Sequence, residues 1–246
     1  MNQLKDLLTD VLNRNTVNPE KPQSNGIEIY FLRHGQTNYN LKGIVQGQEV
    51  DEPLNGTGEN QALMTGNHLK KTVQSFDSVY CSPLLRAKKT AQIINSIMEY
   101  RGSITYDDRL MERKAGIFSG KTEEEINQLI EDDKDLSDIV KKYKRGEIPF
   151  DEYDIEYSKL SNGETKQDAA LRATDFIVSL MSQLERVNES KPNKILVVAH
   201  GSLIKSMLRK MFSGVHFKMA NCCINVLQYR DSKFELQTHS YDDHLQ

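Results

Sequence analysis

The 246-residue sequence has no long apolar run, few cysteines and no excess of positive charge. No stretch of about 18 apolar residues occurs, so the sequence predicts no membrane-spanning helix. The beginning of the chain has no apolar signal core either. The three cysteines, Cys81, Cys222 and Cys223, are an odd number, which argues against a disulfide framework and favours a reducing compartment. We therefore expect a cytoplasmic protein.

The charge balance excludes another class of partner. Lys and Arg total 32 and Asp and Glu total 35, which gives a formal net charge of -3. A protein that wraps a nucleic acid or a membrane surface has an excess of positive charge. We therefore expect no nucleic acid and no membrane partner, and any anion site must be local.

The first 25 residues differ from the rest of the chain. Leu4, Leu7, Leu8, Val11 and Leu12 recur at helical spacing, and a polar, proline-bearing stretch at 18–25 breaks the pattern. This predicts an amphipathic helix and a linker (1–25) that precede a single domain (26–246). The helix would dock on its own domain or on a second subunit, so a monomer and a homodimer both remain open.

A buried strand opens the domain and stops at two ionisable residues. The apolar run Ile27–Leu32 is typical of a strand covered on both faces, and Arg33, His34 and Gly35 follow it directly. The carboxyl ends of parallel strands are where α/β proteins place their chemistry. For these residues alone, a functional site and a plain strand end are equally good interpretations.

Two further strands end in the same way. The run Lys194–Ala199 precedes His200 and Gly201, and Ser202 would cap the next helix. The run Phe76–Ser82 precedes a helix that would contain Pro83 and Arg86 in its first turn. Taken singly, Arg86 would most simply be a solvated surface residue.

The remaining pattern completes an α/β protein. It predicts a helix capped near Thr57 and extending to about Val73, a short strand at Ile104–Tyr106, a mixed-charge helical insertion at about 121–160 and a long helix at Gly163–Leu184. It also predicts two further strands, in a hairpin or at a sheet edge, at Cys222–Arg230 and Lys233–His239.

The residues that follow these three strands indicate a binding site when they are considered together. Neighbouring carboxyl ends of a parallel sheet would bring Arg33, His34, Arg86 and His200 into one crevice. Such a cluster of cationic groups is costly unless an anion fills it, and arginine forks match the oxygens of a phosphate.

Three short motifs resemble those of the histidine phosphatase superfamily, in its phosphoglycerate mutase-like branch. They are LRHGQT (32–37), SPLLRA (82–87) and VAHG (198–201). Glu112 matches the acidic residue of that branch, and NGET (162–165) matches the usual opening of its long helix. The resemblance extends from about Ile27 to Leu227. It implies a three-layer α/β/α sandwich with a mostly parallel central sheet.

Within this branch the chain is similar to TIGAR-type fructose-2,6-bisphosphatases. The similarity lies in QGQEVDEPL (46–54), ERKAGIFSGK (112–121) and DHL (243–245). Gln36 stands where many members have glutamate, and Ala115-Gly116 replaces a common tyrosine-glycine. These departures concern the choice of substrate more than the chemistry.

The resemblance also implies a role for each residue of the motifs. His34 would attack phosphorus and form a phosphohistidine, and Glu112 would act as acid and then as base. The phosphoryl oxygens and the rest of a small phosphorylated metabolite would be bound by Arg33, Asn40, Gln46, Arg86, Glu112, His200 and Gly201. No metal and no cofactor would be required.

Three functions remain open from the sequence. The first is a phosphomonoester hydrolase that acts on sugar phosphates or bisphosphates, such as fructose 2,6-bisphosphate. The second is a phosphoglycerate mutase primed by 2,3-bisphosphoglycerate. The third is a catalytically silent module that binds phosphate. The hydrolase leads because Ala115-Gly116 departs from the mutase pattern, and the histidines and Glu112 argue against a silent module.

Overall fold

The computed structural model describes residues 26–184, 193–230 and 233–246. These residues form six strands, β1 (Ile27–Arg33), β2 (Ser78–Cys81), β3 (Ile104–Tyr106), β4 (Asn193–Ala199), β5 (Ile224–Arg230) and β6 (Lys233–Tyr241). The strands make one sheet in the order β3-β2-β4-β1-β5-β6. The first four strands in this order are parallel, and β5 is antiparallel to both of its neighbours.

Helices cover both faces of the sheet. The described residues form eight α-helices, α1 (Asn38–Leu41), α2 (Gly56–Thr72), α3 (Leu85–Met98), α4 (Glu123–Asp132), α5 (Lys134–Lys144), α6 (Phe150–Leu160), α7 (Lys166–Leu184) and α8 (Gly201–Met211). Apolar residues of α7 and α8 pack on one face, and those of α2 and α3 pack on the other. The expected α/β fold with three layers and a mostly parallel sheet is confirmed.

The central strands β1 and β4 determine where the chemistry can lie. Their side chains alternate between the two cores, with Phe31 and Val197 in one and Leu32 and Val198 in the other. The two strands pair in parallel, and Arg33 lies opposite Ala199. The residues that follow, His34 and His200, therefore leave the sheet side by side.

Several predicted elements agree with the structure. The strand Ile104–Tyr106 has the predicted bounds, and the last two predicted strands are the antiparallel pair β5 and β6, in which β6 lies at the edge of the sheet. The segment between 121 and 160 contains α4, α5 and α6. The predicted helix over Leu4–Leu12 lies outside the described residues.

Four predicted helix starts are wrong by one to three residues. The helix α2 is capped by Asn55, which accepts a hydrogen bond from Gly58 N, and not by Thr57. The helix α7 begins at Lys166, where the Asp154 side chain accepts a hydrogen bond from the Lys166 amide at 2.7 Å, and not at Gly163.

The other two differences occur at the carboxyl ends of β2 and β4. Pro83 precedes α3 because Leu84 is the extended N-cap, and the Asp51 carboxylate accepts from Leu85 N at 2.6 Å. His200, and not Ser202, stands at the N-cap of α8. Both helices start where a carboxylate distant in sequence binds their first amides, so local sequence could not locate these starts.

Within the described ranges no helix has the length and apolar character needed to cross a membrane.

Candidate active site

Two histidines lie in contact at the carboxyl end of the sheet. The ring centroids of His34 and His200 are 5.1 Å apart, and both side chains are buried. The His34 amide donates to Ala199 O at 3.0 Å, which continues the β1–β4 pairing past the end of the strands. The predicted convergence of these two strand ends is therefore present in the structure.

The hydrogen bonds of His34 fix its tautomer. Its Nδ1 lies 2.7 Å from Gly35 O, and because a carbonyl oxygen only accepts, Nδ1 must carry the proton. Gly35 also packs against the first turn of α2, where a Cβ would come within 2.4 Å of Gly58 O. No described residue donates a hydrogen bond to Nε2. The neutral ring therefore has its lone pair on Nε2.

Burial keeps both imidazoles neutral. It lowers the pKa of His34 well below 6.5, and the charges of Arg33 and Arg86 lower that pKa further. The pKa of His200 is also far below 6.5, because of burial first and then the charge of Arg86. The His200 Nε2 lies 2.7 Å from Ser82 Oγ. Neutral histidine is the form that can act as a nucleophile.

The backbone holds two arginines beside the histidines. Arg86, in the first turn of α3, is 1 % exposed and donates to Val50 O at 3.0 Å and to Gly47 O at 2.8 Å. Arg33 donates to Met219 O. Burial lowers the pKa of both guanidinium groups, and the nearby Glu112 carboxylate opposes that shift.

Four buried polar atoms at this site have no hydrogen-bond partner among the described residues. They are Nε of Arg33, Nε of Arg86, Nδ1 of His200 and Oε1 of Gln46. An unpaired buried polar group costs free energy, so such groups are rare in folded proteins. Two cationic donors and an imidazole in this state form a site suited to an anion.

Glu112 lies at the amino end of α8. Its Oε2 accepts from Ser202 N at 3.1 Å, and its Oε1 accepts from Leu203 N at 3.0 Å and from Arg113 N at 2.8 Å. The amino end of a helix favours a negative charge. The β4–α8 connection thus positions both His200 and this carboxylate.

An ion pair behind the site supports Glu112. Arg172 Nη2 lies 2.7 Å from Glu164 Oε2, and its guanidinium also donates to the backbone oxygens of Arg109, Met111 and Glu112. This ion pair joins the start of α7 to the segment that carries the acid. Arg172 was not among the residues predicted from the sequence, although it is the only cation between Gln167 and Leu184.

The side chains surround a cavity of about 230 Å³. Its lining is formed by Arg33, His34, Asn40, Ile44, Val45, Gln46, Gly47, Arg86, Glu112, Arg113, Ala115 and Ser202. The predicted site residues His200 and Gly201 border this lining, where the His200 ring contacts the ring of His34. A Cβ on Gly201 would be 3.1 Å from Arg33 Nε, so the glycine leaves room for the arginine.

The side chains of Gln46 and Asn40, both predicted to bind the substrate, form hydrogen bonds with other residues of the protein. Gln46 Nε2 donates to Thr37 Oγ1 at 3.0 Å. Asn40 Oδ1 accepts from Thr37 N at 3.2 Å and from Asn221 Nδ2 at 3.1 Å. Both residues line the cavity, but these bonds already use part of their capacity to bind a substrate.

Glu49, which was not among the residues predicted from the sequence, links the two sides of the cavity. Its carboxylate accepts from Ala115 N at 3.2 Å and from Gly116 N at 2.8 Å. It thereby connects the loop of Gln46 to the segment that follows Glu112. A single exposed glutamate in a polar loop gives no sequence signal for this role.

In the described part of the chain, no group of three or more His, Cys, Asp or Glu residues is placed to hold a metal ion.

The neutral, buried histidines make stability sensitive to pH. In the unfolded chain each would bind a proton near pH 6.5, whereas in the folded protein the pKa is well below that value. The free energy of unfolding should therefore fall as pH decreases below 6.5, by up to about 1.4 kcal/mol per pH unit for each such histidine. Urea unfolding between pH 7.5 and 5 measures this slope.

His34→Ala is the informative variant for this measurement. It should make the slope shallower by about one proton. An identical slope for the wild-type protein and this variant would contradict a depressed pKa at His34.

The fold and the site together define an α/β enzyme with a small pocket for an anionic substrate. The chain belongs to the histidine phosphatase superfamily (branch 1), whose family model matches residues 29–242. The family expected from the three motifs is thus confirmed, and the protein is a histidine phosphatase.

Known proteins agree with this membership. The "Uncharacterized phosphatase PhoE" of Bacillus subtilis is 31% identical over 222 residues, which cover 88% of this chain and 96% of the relative. A broad-specificity phosphatase of Saccharomyces cerevisiae is 28% identical over an alignment that covers 87% of this chain and 85% of the relative. The solved structure of phosphoglycerate mutase from Bacillus anthracis superposes with a TM-score of 0.74 at 21% sequence identity. The alignment covers 91% of this chain and 96% of that chain. At this identity the similarity supports the fold alone.

Proposed function

We propose that this protein hydrolyses phosphomonoesters of small metabolites through a phosphohistidine on His34. The observation that carries the proposal is the hydrogen bond from His34 Nδ1 to Gly35 O, which leaves the Nε2 lone pair free beside Arg33 and Arg86. A nucleophile of fixed tautomer next to a group of cationic donors is the arrangement that phosphoryl transfer needs.

In the first step, His34 Nε2 attacks phosphorus in line with the ester oxygen. The new P–N bond forms as the P–O bond to the alcohol breaks, and Glu112 in its acid form donates a proton to the leaving oxygen. Arg33, Arg86 and His200 bind the three remaining phosphoryl oxygens as their charge redistributes. The products are the free alcohol and phosphohistidine.

In the second step, water attacks the phosphohistidine. The Glu112 carboxylate takes a proton from the water, a P–O bond forms and the P–N bond breaks. Inorganic phosphate leaves, and His34 returns to its neutral form. Glu112 is protonated again and ready for the next ester, so one residue serves both steps.

A small sugar phosphate or bisphosphate is the proposed substrate, with fructose 2,6-bisphosphate as the specific candidate. The cavity of about 230 Å³ suits a small metabolite. The Bacillus relative, at 31% identity, bears the name of a phosphatase, which supports hydrolysis, whereas relatives at about 28% identity bear the names of a phosphatase and of a probable phosphoglycerate mutase. The similarity of residues 46–54 and 112–121 to TIGAR-type enzymes supports the bisphosphate.

A substrate panel tests the proposal. Purified protein is incubated with p-nitrophenyl phosphate, fructose 2,6-bisphosphate and 3-phosphoglycerate, the last with and without 2,3-bisphosphoglycerate. We expect phosphate release from p-nitrophenyl phosphate and from fructose 2,6-bisphosphate, with no conversion of 3-phosphoglycerate to its isomer. Isomerisation that depends on 2,3-bisphosphoglycerate would identify a mutase. No turnover of any ester would leave only the silent module.

A further inference from the structure

Part of one sheet face is left uncovered by the helices that the structure describes. The apolar side chains of β1 that face α7 are buried. On the opposite face, Glu28 and Tyr30 are only half-buried, although β1 lies between two other strands. Val226 and Gln228, their partners on β5, are also half-buried. The described helix layer on the α2 side therefore ends before it covers this part of the sheet.

These four residues form the floor of a groove between α2 and β6, which we call the α2–β6 groove. It encloses about 390 Å³, with α2 as one wall and β6 as the other. The Tyr30 hydroxyl donates to Glu28 Oε2 at 2.9 Å, so the polar end of this ring is paired and its remaining surface is apolar. The apolar lining consists of Tyr30, Leu69, Val73, Ile224, Val226 and Tyr241. A continuous apolar surface with a polar rim is typical of a site that another segment covers.

The two ends of the α2–β6 groove differ. At the carboxyl end of β1, the rings of His68, Tyr241 and His244 lie against one another, with centroids 5.0 to 5.4 Å apart. At the amino end of β1 the groove begins at Glu28, close to Gly26, where the described chain starts. The residues before Gly26 therefore join the domain beside the groove.

The sequence before Gly26 contains an apolar stripe of matching length. At helical spacing, five apolar residues share one face and Asp6 lies on the opposite face. A helix over 4–12 would be about 13 Å long, as is the stretch of β5 from Ile224 to Gln228 that lines the groove. So short a helix is marginal in water unless it packs on an apolar surface. Residues 13–25 can extend to about 40 Å, so they reach every part of the groove. The stripe consists of Leu4, Leu7, Leu8, Val11 and Leu12.

We propose that residues 4–12 form a helix that packs in the α2–β6 groove of the same chain, beside α2. The apolar stripe covers Tyr30 and Val226, and the helix extends the layer on this face of the sheet. The tether gives the segment an effective concentration of about 1 mM at the groove, which favours the same chain over a second copy in dilute solution. The inference does not depend on the proposed phosphatase function.

The chain contains no tryptophan, which allows a direct test with a single introduced indole. Leu8→Trp places the indole on the apolar stripe, whereas Asp6→Trp places it on the opposite face of the helix. In the full-length protein, acrylamide should quench the first indole about threefold less than the second, because a docked indole is shielded from water. Its emission should also be shifted to shorter wavelength. Equal quenching of the two indoles would overturn the inference.

Substitutions in the groove locate the contact. Val226→Arg places a charge on its floor, and Thr72→Arg places one at an exposed position of its α2 wall. Each of them, combined with Leu8→Trp, should raise the quenching to the level of Asp6→Trp. Leu63→Arg is the matched control and should leave the quenching unchanged, because Leu63 is an apolar residue of α2 that is 45% exposed and lies outside the groove.

Thermal unfolding establishes which of these variants are folded. If Val226→Arg does not fold, Thr72→Arg alone decides, since its side chain lies outside the sheet. Shielding of the Leu8→Trp indole that persists in the folded groove variants would place the segment elsewhere and overturn the inference.

Protein concentration distinguishes the possible occupants of the groove. Packing within one chain predicts the same quenching of the Leu8→Trp indole after about 100-fold dilution, because the tether fixes the effective concentration. Shielding that is lost on dilution, together with a dimer in analytical ultracentrifugation that dissociates over the same range, would assign the groove to the segment of a second copy. That result would overturn packing within the same chain.

Discussion

His34→Ala is expected to lower kcat by about 10⁴- to 10⁶-fold for every phosphomonoester that the wild-type protein hydrolyses. The substitution removes the nitrogen lone pair to which the proposed mechanism assigns the attack on phosphorus. Arg33 and Arg86 remain, so phosphate binding should persist while turnover is lost. Steady-state rates with p-nitrophenyl phosphate measure the effect, and thermal unfolding establishes that the variant is folded.

The exposed His216 supplies the control for this experiment. His216→Ala removes an imidazole outside the cavity and should retain wild-type kcat. Wild-type activity in His34→Ala would mean that another residue is the nucleophile. A loss of both activity and phosphate binding, in a folded protein, would assign His34 to binding instead of to attack.

Glu112→Gln has the second largest expected effect, and its size should depend on the leaving group. For an alkyl ester, whose alkoxide needs a proton, kcat/KM should fall by about 10²- to 10⁴-fold. For p-nitrophenyl phosphate the loss should be about 10-fold or less, because this leaving group departs without protonation. A series of substituted phenyl phosphates measures the trend, since kcat/KM reports on the steps up to release of the alcohol.

The same variant also tests the base role of Glu112. Hydrolysis of the phosphohistidine should become slow, so p-nitrophenol should appear in a burst followed by a slow steady state. Glu131→Gln, at an exposed position of α4, is the matched control and should show neither effect. Equal losses across the phenyl series, with no burst, would remove Glu112 from both roles.

The sequence predicted the sheet and the central residues because they depend on strong local patterns. Strands such as Lys194–Ala199 consist mainly of apolar residues that fit a core on both faces, and β1 and β4 are each followed by a histidine and a glycine. The parallel pairing of Arg33 with Ala199 then places His34 beside His200. The positions of the strands and the residue types at their ends were therefore sufficient to predict that His34 and His200 lie together.

The parts that the sequence did not predict depend on contacts between distant segments. The first amides of α3 and α8 are bound by Asp51 and Glu112, which lie 34 and about 90 residues away. Local rules place a cap within a few residues of the helix, so they assigned these starts to Pro83 and Ser202. The structure shows that the capping carboxylate of α8 is the predicted catalytic acid.

The contacts that position Glu112 and the segment around it could not be predicted from the sequence either. Arg172 contacts the segment 109–112 through backbone oxygens, and any residue type presents such an oxygen. The carboxylate of Glu49 likewise binds backbone amides. Contacts of this kind leave no pattern in residue identity, so only the folded chain reveals them.

Trapping the phosphoenzyme tests the central claim most directly. Glu112→Gln, mixed with substrate and quenched within the burst, should contain one phosphoryl group on the peptide that includes His34. The linkage should be stable in alkali and labile in acid, as expected for a phosphorus–nitrogen bond. A phosphoryl group on another residue, or turnover by the wild-type protein without any phosphoenzyme, would contradict a phosphohistidine mechanism at His34.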